Sequence, residues 1–138
     1  MAPRALPCSR SSPPTCTGTT TLCIDDQAGD QRFRIRVHYE TSQAGGLSGD
    51  GNAIALSSLG VTEGGLFWFF DAHNPEMLVK VIDACALNDK FWVFYSAGTN
   101  AGFTVTVTDS KSGNSKVYTN QDLNPAPAVQ DVNALPCQ

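Results

Sequence analysis

Charge is scarce in this chain. Only 16% of its 138 residues are Asp, Glu, Lys or Arg, and the balance is acidic, with a net charge of −4. General binding to a phosphate backbone needs clustered Lys and Arg, so a nucleic-acid binder is excluded. No apolar run approaches the ~20 residues that cross a bilayer as a helix. Histidine is limited to His38 and His73, too few to converge on a catalytic or copper centre. Closely spaced CxxC and CxxH pairs are missing, as are GxSxG, HExxH and the phosphate-binding loop. Those absences remove the common zinc folds, the serine hydrolases, the zincins and the P-loop NTPases, and the chain is not expected to be an enzyme. The opening MAPRALPCSRSSPPTCTG contains Arg4 and Arg10 but no apolar stretch, so it does not read as a signal peptide. Residues 1–15 read instead as a Pro/Ser-rich disordered linker or tail, and residues 16–138 as one folded module.

What the chain does contain is strand and turn chemistry. RFRIRVHYE (32–40) alternates without a fault: Phe33, Ile35, Val37 and Tyr39 share one face, and Arg34, Arg36, His38 and Glu40 the other. Period 2 over that length marks a half-buried strand. GFTVTVTDS (102–110) alternates in the same way, with Phe103, Val105 and Val107 inward and threonines outward. LFWFF (66–70), MLVKVIDA (77–84) and FWVFY (91–95) are apolar on both faces or nearly so. TTTLCI (19–24), AIALSS (53–58) and KVYTN (116–120) complete a set of short strands. TSQAGGLSGDGN and DSKSGNSK are turn chemistry, and the Pro-rich tail after Asn124 is too broken to predict a regular element. Seven to eight strands with turns between them, and no credible helix, predict an all-β, single-domain antiparallel β-sandwich of Ig-like or jelly-roll type.

Five cysteines in a small β-rich chain favour disulfides over metal. The expected pairs are Cys16–Cys23 and Cys85–Cys137, with Cys8 left over in the linker. The chain-entropy model gives roughly 2.5 kcal/mol for the short loop and about 4 kcal/mol for the long one.

The blocks FWFF, NPE, LVKV, WVF and TVTVTD, in that order between Cys16 and Cys137, resemble an uncharacterised β-rich module that recurs near the C-terminus of exported bacterial proteins. In that family the cysteines matching Cys85 and Cys137 recur together. The resemblance implies an extracellular compartment and a disulfide-stapled accessory module, often beside a hydrolase. It implies nothing about a ligand.

Three groups of residues are candidates for function. The aromatic rows either fill a two-sided core or leave one face exposed to stack on pyranose rings. On the second reading Trp68 and Trp92 are the first ligand-binding residues, followed by Tyr95 and Tyr118, which can both stack and hydrogen-bond. Asp25, Asp26 and Asp30 share one polar loop and are the expected ligands of a structural calcium, the one cofactor considered. Arg32, Arg34 and Arg36 form a one-sided cationic row, expected to solubilise a sheet face and pair with cross-strand acids. Taken together, these features predict a monomeric, secreted, non-catalytic module binding polysaccharide. The alternative is a structural or protein-interaction domain that packs on a parent catalytic domain or acts in surface adhesion.

Overall fold

The computed structural model describes residues 13–137; Cys8 and residues 1–12 of the expected linker lie outside them. The described residues form ten strands: β1 (Leu22–Asp25), β2 (Gln31–Thr41), β3 (Leu47–Asp50), β4 (Asn52–Ala55), β5 (Gly64–Trp68), β6 (Pro75–Ala84), β7 (Lys90–Ala97), β8 (Gly102–Asp109), β9 (Ser115–Asn120) and β10 (Val129–Pro136). A single helical turn, α1 (Cys85–Asn88), joins β6 to β7. The strands build two five-stranded antiparallel sheets. In the first, β8 lies between β2 and β9, and the far edge of β2 carries β1 along one half and β3 along the other. The second runs β10-β7-β6-β5-β4. This is the all-β sandwich that the alternation predicts.

Alternation sets the core. Phe33, Ile35 and Val37 of β2 face Phe103, Val105 and Val107 of β8 on the same side of the first sheet, and all six are buried. From the second sheet Phe67, Met77, Val79, Val81, Phe91 and Val93 close the other side. Burial of this kind contributes about 1.5–3 kcal/mol per large side chain, and it is the main force holding the sheets together.

Two strands escape the sequence reading. β3 lies inside TSQAGGLSGDGN, which reads as a turn, because its Leu47, Ser48 and Asp50 are exposed and leave no alternating trace. Its single-residue link to β4 is Gly51, buried against the ring of Phe69, where a Cβ would stand 3.2 Å from Cε1. β10 lies inside the Pro-rich tail. It pairs with the open edge of β7, broken by an irregularity between Asp131 and Leu135, and the Cys85–Cys137 disulfide fastens its end. Cys16–Cys23 closes the other predicted bridge, tying the segment before β1 to β1 itself.

Candidate aromatic face

The two outward faces of the sandwich differ in chemistry. On the first sheet, Arg34, Arg36 and His38 stand opposite Thr108, Thr106 and Thr104, so that face is polar. On the second sheet the outward positions of β4 to β7 include Asn52, Ile54, Leu66, Trp68, Leu78, Lys80, Ile82, Lys90, Trp92, Phe94 and Ser96. All of these are at least partly exposed, and Leu78 reaches 43%. In the second sheet the inward set is equally apolar, which is why LFWFF and FWVFY show no amphipathic pattern.

Trp92 and Phe94 are the centre of that face. They are two residues apart on β7, so their side chains leave the sheet on the same side. Their ring planes are nearly parallel, 7° apart, with centroids 5.9 Å from one another. The indole Nε1–H of Trp92 donates to Asn88 Oδ1 at 2.9 Å, and Asn88 Nδ2 donates in turn to the Val132 carbonyl of β10 at 2.7 Å. The α1 turn thus holds the indole in one orientation. Lys80, opposite Phe94 in the ladder, places its ammonium 5.7 Å from the Phe94 centroid. Beside them a cleft of about 150 Å³ has Lys80, Phe94, Tyr95, Ser96, Val129 and Gln130 among its lining residues.

Trp68 shares the outward face but not this cluster. Its ladder partner is Pro75, at the other end of β6 from Ile82, which faces Trp92. At the strand rise per residue the two tryptophans are roughly 20 Å apart along the sheet.

Tyr95 and Tyr118 are corrected by the structure. Tyr95 has the opposite parity to Trp92 and points into the core, 5% exposed, edge-on to Phe103 and Tyr118. Tyr118 also faces inward, opposite Val105, at the open side between β9 and β10. Its hydroxyl donates to Asp131 Oδ2 at 2.8 Å. Burial, and then the Asp131 carboxylate beside it, pushes its ionisation well above the ordinary tyrosine range. Both rings pack against the core, Tyr95 buried and Tyr118 partly buried, and so help to close the sandwich.

The expected calcium loop is occupied by the chain's own cation. Asp26 Oδ1 accepts from the amides of Ala28 and Asp30, at 3.0 and 2.9 Å. Asp26 Oδ2 and Asp30 Oδ2 both receive the Lys111 ammonium at 3.2 Å. Among the described residues, Asp25, Asp26 and Asp30 do not gather three oxygens at one point. Among the described residues the only cluster of three potential metal-ligating side chains is Asp83 with Cys85 and Cys137, whose sulfurs are bonded to each other and not free to ligate.

The arginine row is also redirected. The irregularity in the β1–β2 ladder between Ile24 and Asp25 turns Arg32 out of the row. Its guanidinium lies 4.7 Å from the Phe91 centroid and grips Asp109 with two hydrogen bonds. Arg34 donates to the carbonyls of Pro14 and Gln31, and Arg36 pairs with Asp50. Arg32 and Arg36 thus meet acids of the neighbouring strands, Asp109 of β8 and Asp50 of β3, as expected for the row, whereas Arg34 is held by carbonyls instead.

Two larger hollows, of about 470 and 500 Å³, lie away from the aromatic face. Several of their polar groups are engaged within the fold. Asp122, in the first, accepts from the Ser42 amide and hydroxyl and the Gly102 amide, contacts that hold its carboxyl down to about 2. In the second, Gln43 donates to Thr41 and Asn100, and Asn74 donates to the buried Glu76. No protein-family model, curated protein or solved structure matches the chain.

Proposed function

We propose that this protein is a non-catalytic, secreted binding module that holds polysaccharide against the outward face of its second sheet. The observation that carries this reading is the partly exposed indole of Trp92, fixed by Asn88 and parallel to Phe94. An exposed aromatic ring offers an apolar surface to the C–H groups of a pyranose ring. A ring already fixed in place loses little rotamer freedom when a ligand arrives. Lys80, Ser96 and Gln130 around the adjoining cleft supply the polar contacts that orient a sugar. Two disulfides fit an oxidising compartment.

Electrophoresis through gels containing soluble polysaccharides tests this. Retardation of the native chain is expected, lost in Trp92→Ala and in Phe94→Ala but kept in Val117→Ala, whose exposed side chain lies on β9 of the other sheet. A second reading has support in Ile54, Leu66 and Leu78, which make an apolar strip between Trp68 and the Trp92–Phe94 pair. Such a strip suits docking to a parent catalytic domain. Under that reading Leu78→Glu abolishes a protein complex and no gel retards the chain.

A further inference from the structure

The cations of this acidic chain have uneven partners. Of nine Lys and Arg residues, Arg4 and Arg10 lie outside the described residues, leaving seven. Four of the seven are ion-paired: Arg32 with Asp109, Arg36 with Asp50, Lys111 with Asp26 and Asp30, and Lys116 with Asp131. Arg34 is engaged by two backbone carbonyls. Lys80 and Lys90 remain, and among the described residues neither meets a carboxylate at ion-pair distance.

Both belong to the aromatic face. Lys80 stands opposite Phe94, and Lys90 precedes Trp92 by two residues on β7, with the same outward parity. Along β7 the sequence of outward groups is therefore cation, indole, phenyl, with the second cation beside the phenyl. From strand rise and spacing the Cα atoms of the two lysines are roughly 14 Å apart. Acids are turned away from them. Asp83 has inward parity, opposite Phe91, and its field reaches Arg32; Asp89, next to Lys90 in sequence, forms no ion pair with it. In a chain of net charge −4, this leaves a local positive field over the rings that the ligand is proposed to contact.

We infer that the aromatic face selects an acidic polysaccharide, one carrying carboxylate or sulfate groups at intervals along the polymer. The inference rests on the polysaccharide reading above and narrows it. Rings receive the apolar faces of the sugars, while Lys80 and Lys90 receive anionic groups from separate residues of the same strand of polymer. Two lysines on a chain of overall negative charge are too few for the polybasic attraction that holds proteins to anionic lipid.

The test compares the native chain, Trp92→Ala and the double variant Lys80→Gln/Lys90→Gln in gels of polygalacturonate, a sulfated galactan and a neutral β-glucan. Both lysines are at the surface, so the double variant is expected to keep the native near-ultraviolet spectrum. Expected is retardation by at least one acidic polymer, about tenfold weaker in the double variant and weakened by salt. The uronate and sulfate gels separate the two anion chemistries. Equal retardation by neutral β-glucan, unchanged in the double variant, would overturn the selection for acid and leave the polysaccharide reading standing. No retardation in any gel would remove both.

Discussion

Arg32 meets Asp109 with two hydrogen bonds, Nε to Oδ1 at 2.7 Å and Nη2 to Oδ2 at 2.8 Å, across 77 positions of sequence. The carboxylate has no exposed surface, and the guanidinium is capped by the rings of Phe33 and Phe91. Asp109 also accepts from the Lys111 amide and the Ser112 hydroxyl, so one carboxylate joins the start of β2, the end of β8 and the turn into β9. The hydrogen-bonding capacity of this buried charge is taken up within the fold.

Removing one partner leaves the other charge buried and alone. Asp109→Ala and Arg32→Ala are each expected to cost about 3–5 kcal/mol in urea unfolding, more than Asp50→Ala, whose pair with Arg36 is exposed. Equal, small effects from all three variants would remove this bond from the account of stability.

The same carboxylate gives the fold an acid limit. Burial pushes the Asp109 carboxyl up, but Arg32, the Lys111 amide and the Ser112 hydroxyl together outweigh it and leave the group below its ordinary 3.8. A carboxyl that ionises more readily when folded stabilises the fold above pH 3.8, and that contribution is lost as pH falls through the lower, folded value. Asp26 and Asp131 are shifted in the same direction. Urea midpoints are expected to fall steeply below about pH 4, and less steeply in Asp109→Asn.

Tyr118 sets a limit at the alkaline end. Its ionisation is raised by burial and by Asp131, so the folded state favours the neutral phenol. That contribution is present below the ordinary value of 10 and is lost as pH rises toward the folded value. Tyrosinate absorbance of the folded chain should therefore show Tyr118 titrating late, together with Tyr95, whose ionisation burial also raises. Tyr118→Phe is expected to lose about 1.5–3 kcal/mol, the range for a hydrogen bond to a charged acceptor. A full three-tyrosine titration near pH 10 in the native chain would contradict the clamp.

Reducing the disulfides should act unequally. Cys85–Cys137 closes 52 residues and fastens β10, whose Val132 carbonyl holds Asn88 and through it the Trp92 indole. Cys85→Ser/Cys137→Ser is expected to lose about 4 kcal/mol and to change Trp92 emission. Cys16→Ser/Cys23→Ser is expected to lose less, about 2.5 kcal/mol, with that emission kept.

Much of this was legible in the sequence where the pattern is local. Strict alternation in residues 32–40 and 102–110 assigns β2 and β8, their inner faces and the sandwich between them. The same alternation assigns Phe94 to the side of Trp92 and Tyr95 to the other side. The hydroxyl of Tyr95 suits it to a sugar, but its parity turns the ring inward, where it is buried. What is set by distant partners was not legible. Lys111 reaches Asp26 across 85 positions and Arg32 leaves its row through an irregular ladder, and no local spacing records either. β10 depends on the free edge of β7 and on a disulfide, so its own residues show little strand signal.

The most direct measurement uses the fact that the chain has two tryptophans. Trp68→Phe leaves Trp92 as the only indole, and its emission is titrated with oligosaccharides of uronic acid and of neutral glucose. A saturable shift in this variant, absent when Trp92→Phe leaves Trp68 alone, is the expected result and places the ligand on the Trp92–Phe94 face. No shift from Trp92 with any glycan, while Trp68 responds, would contradict that placement.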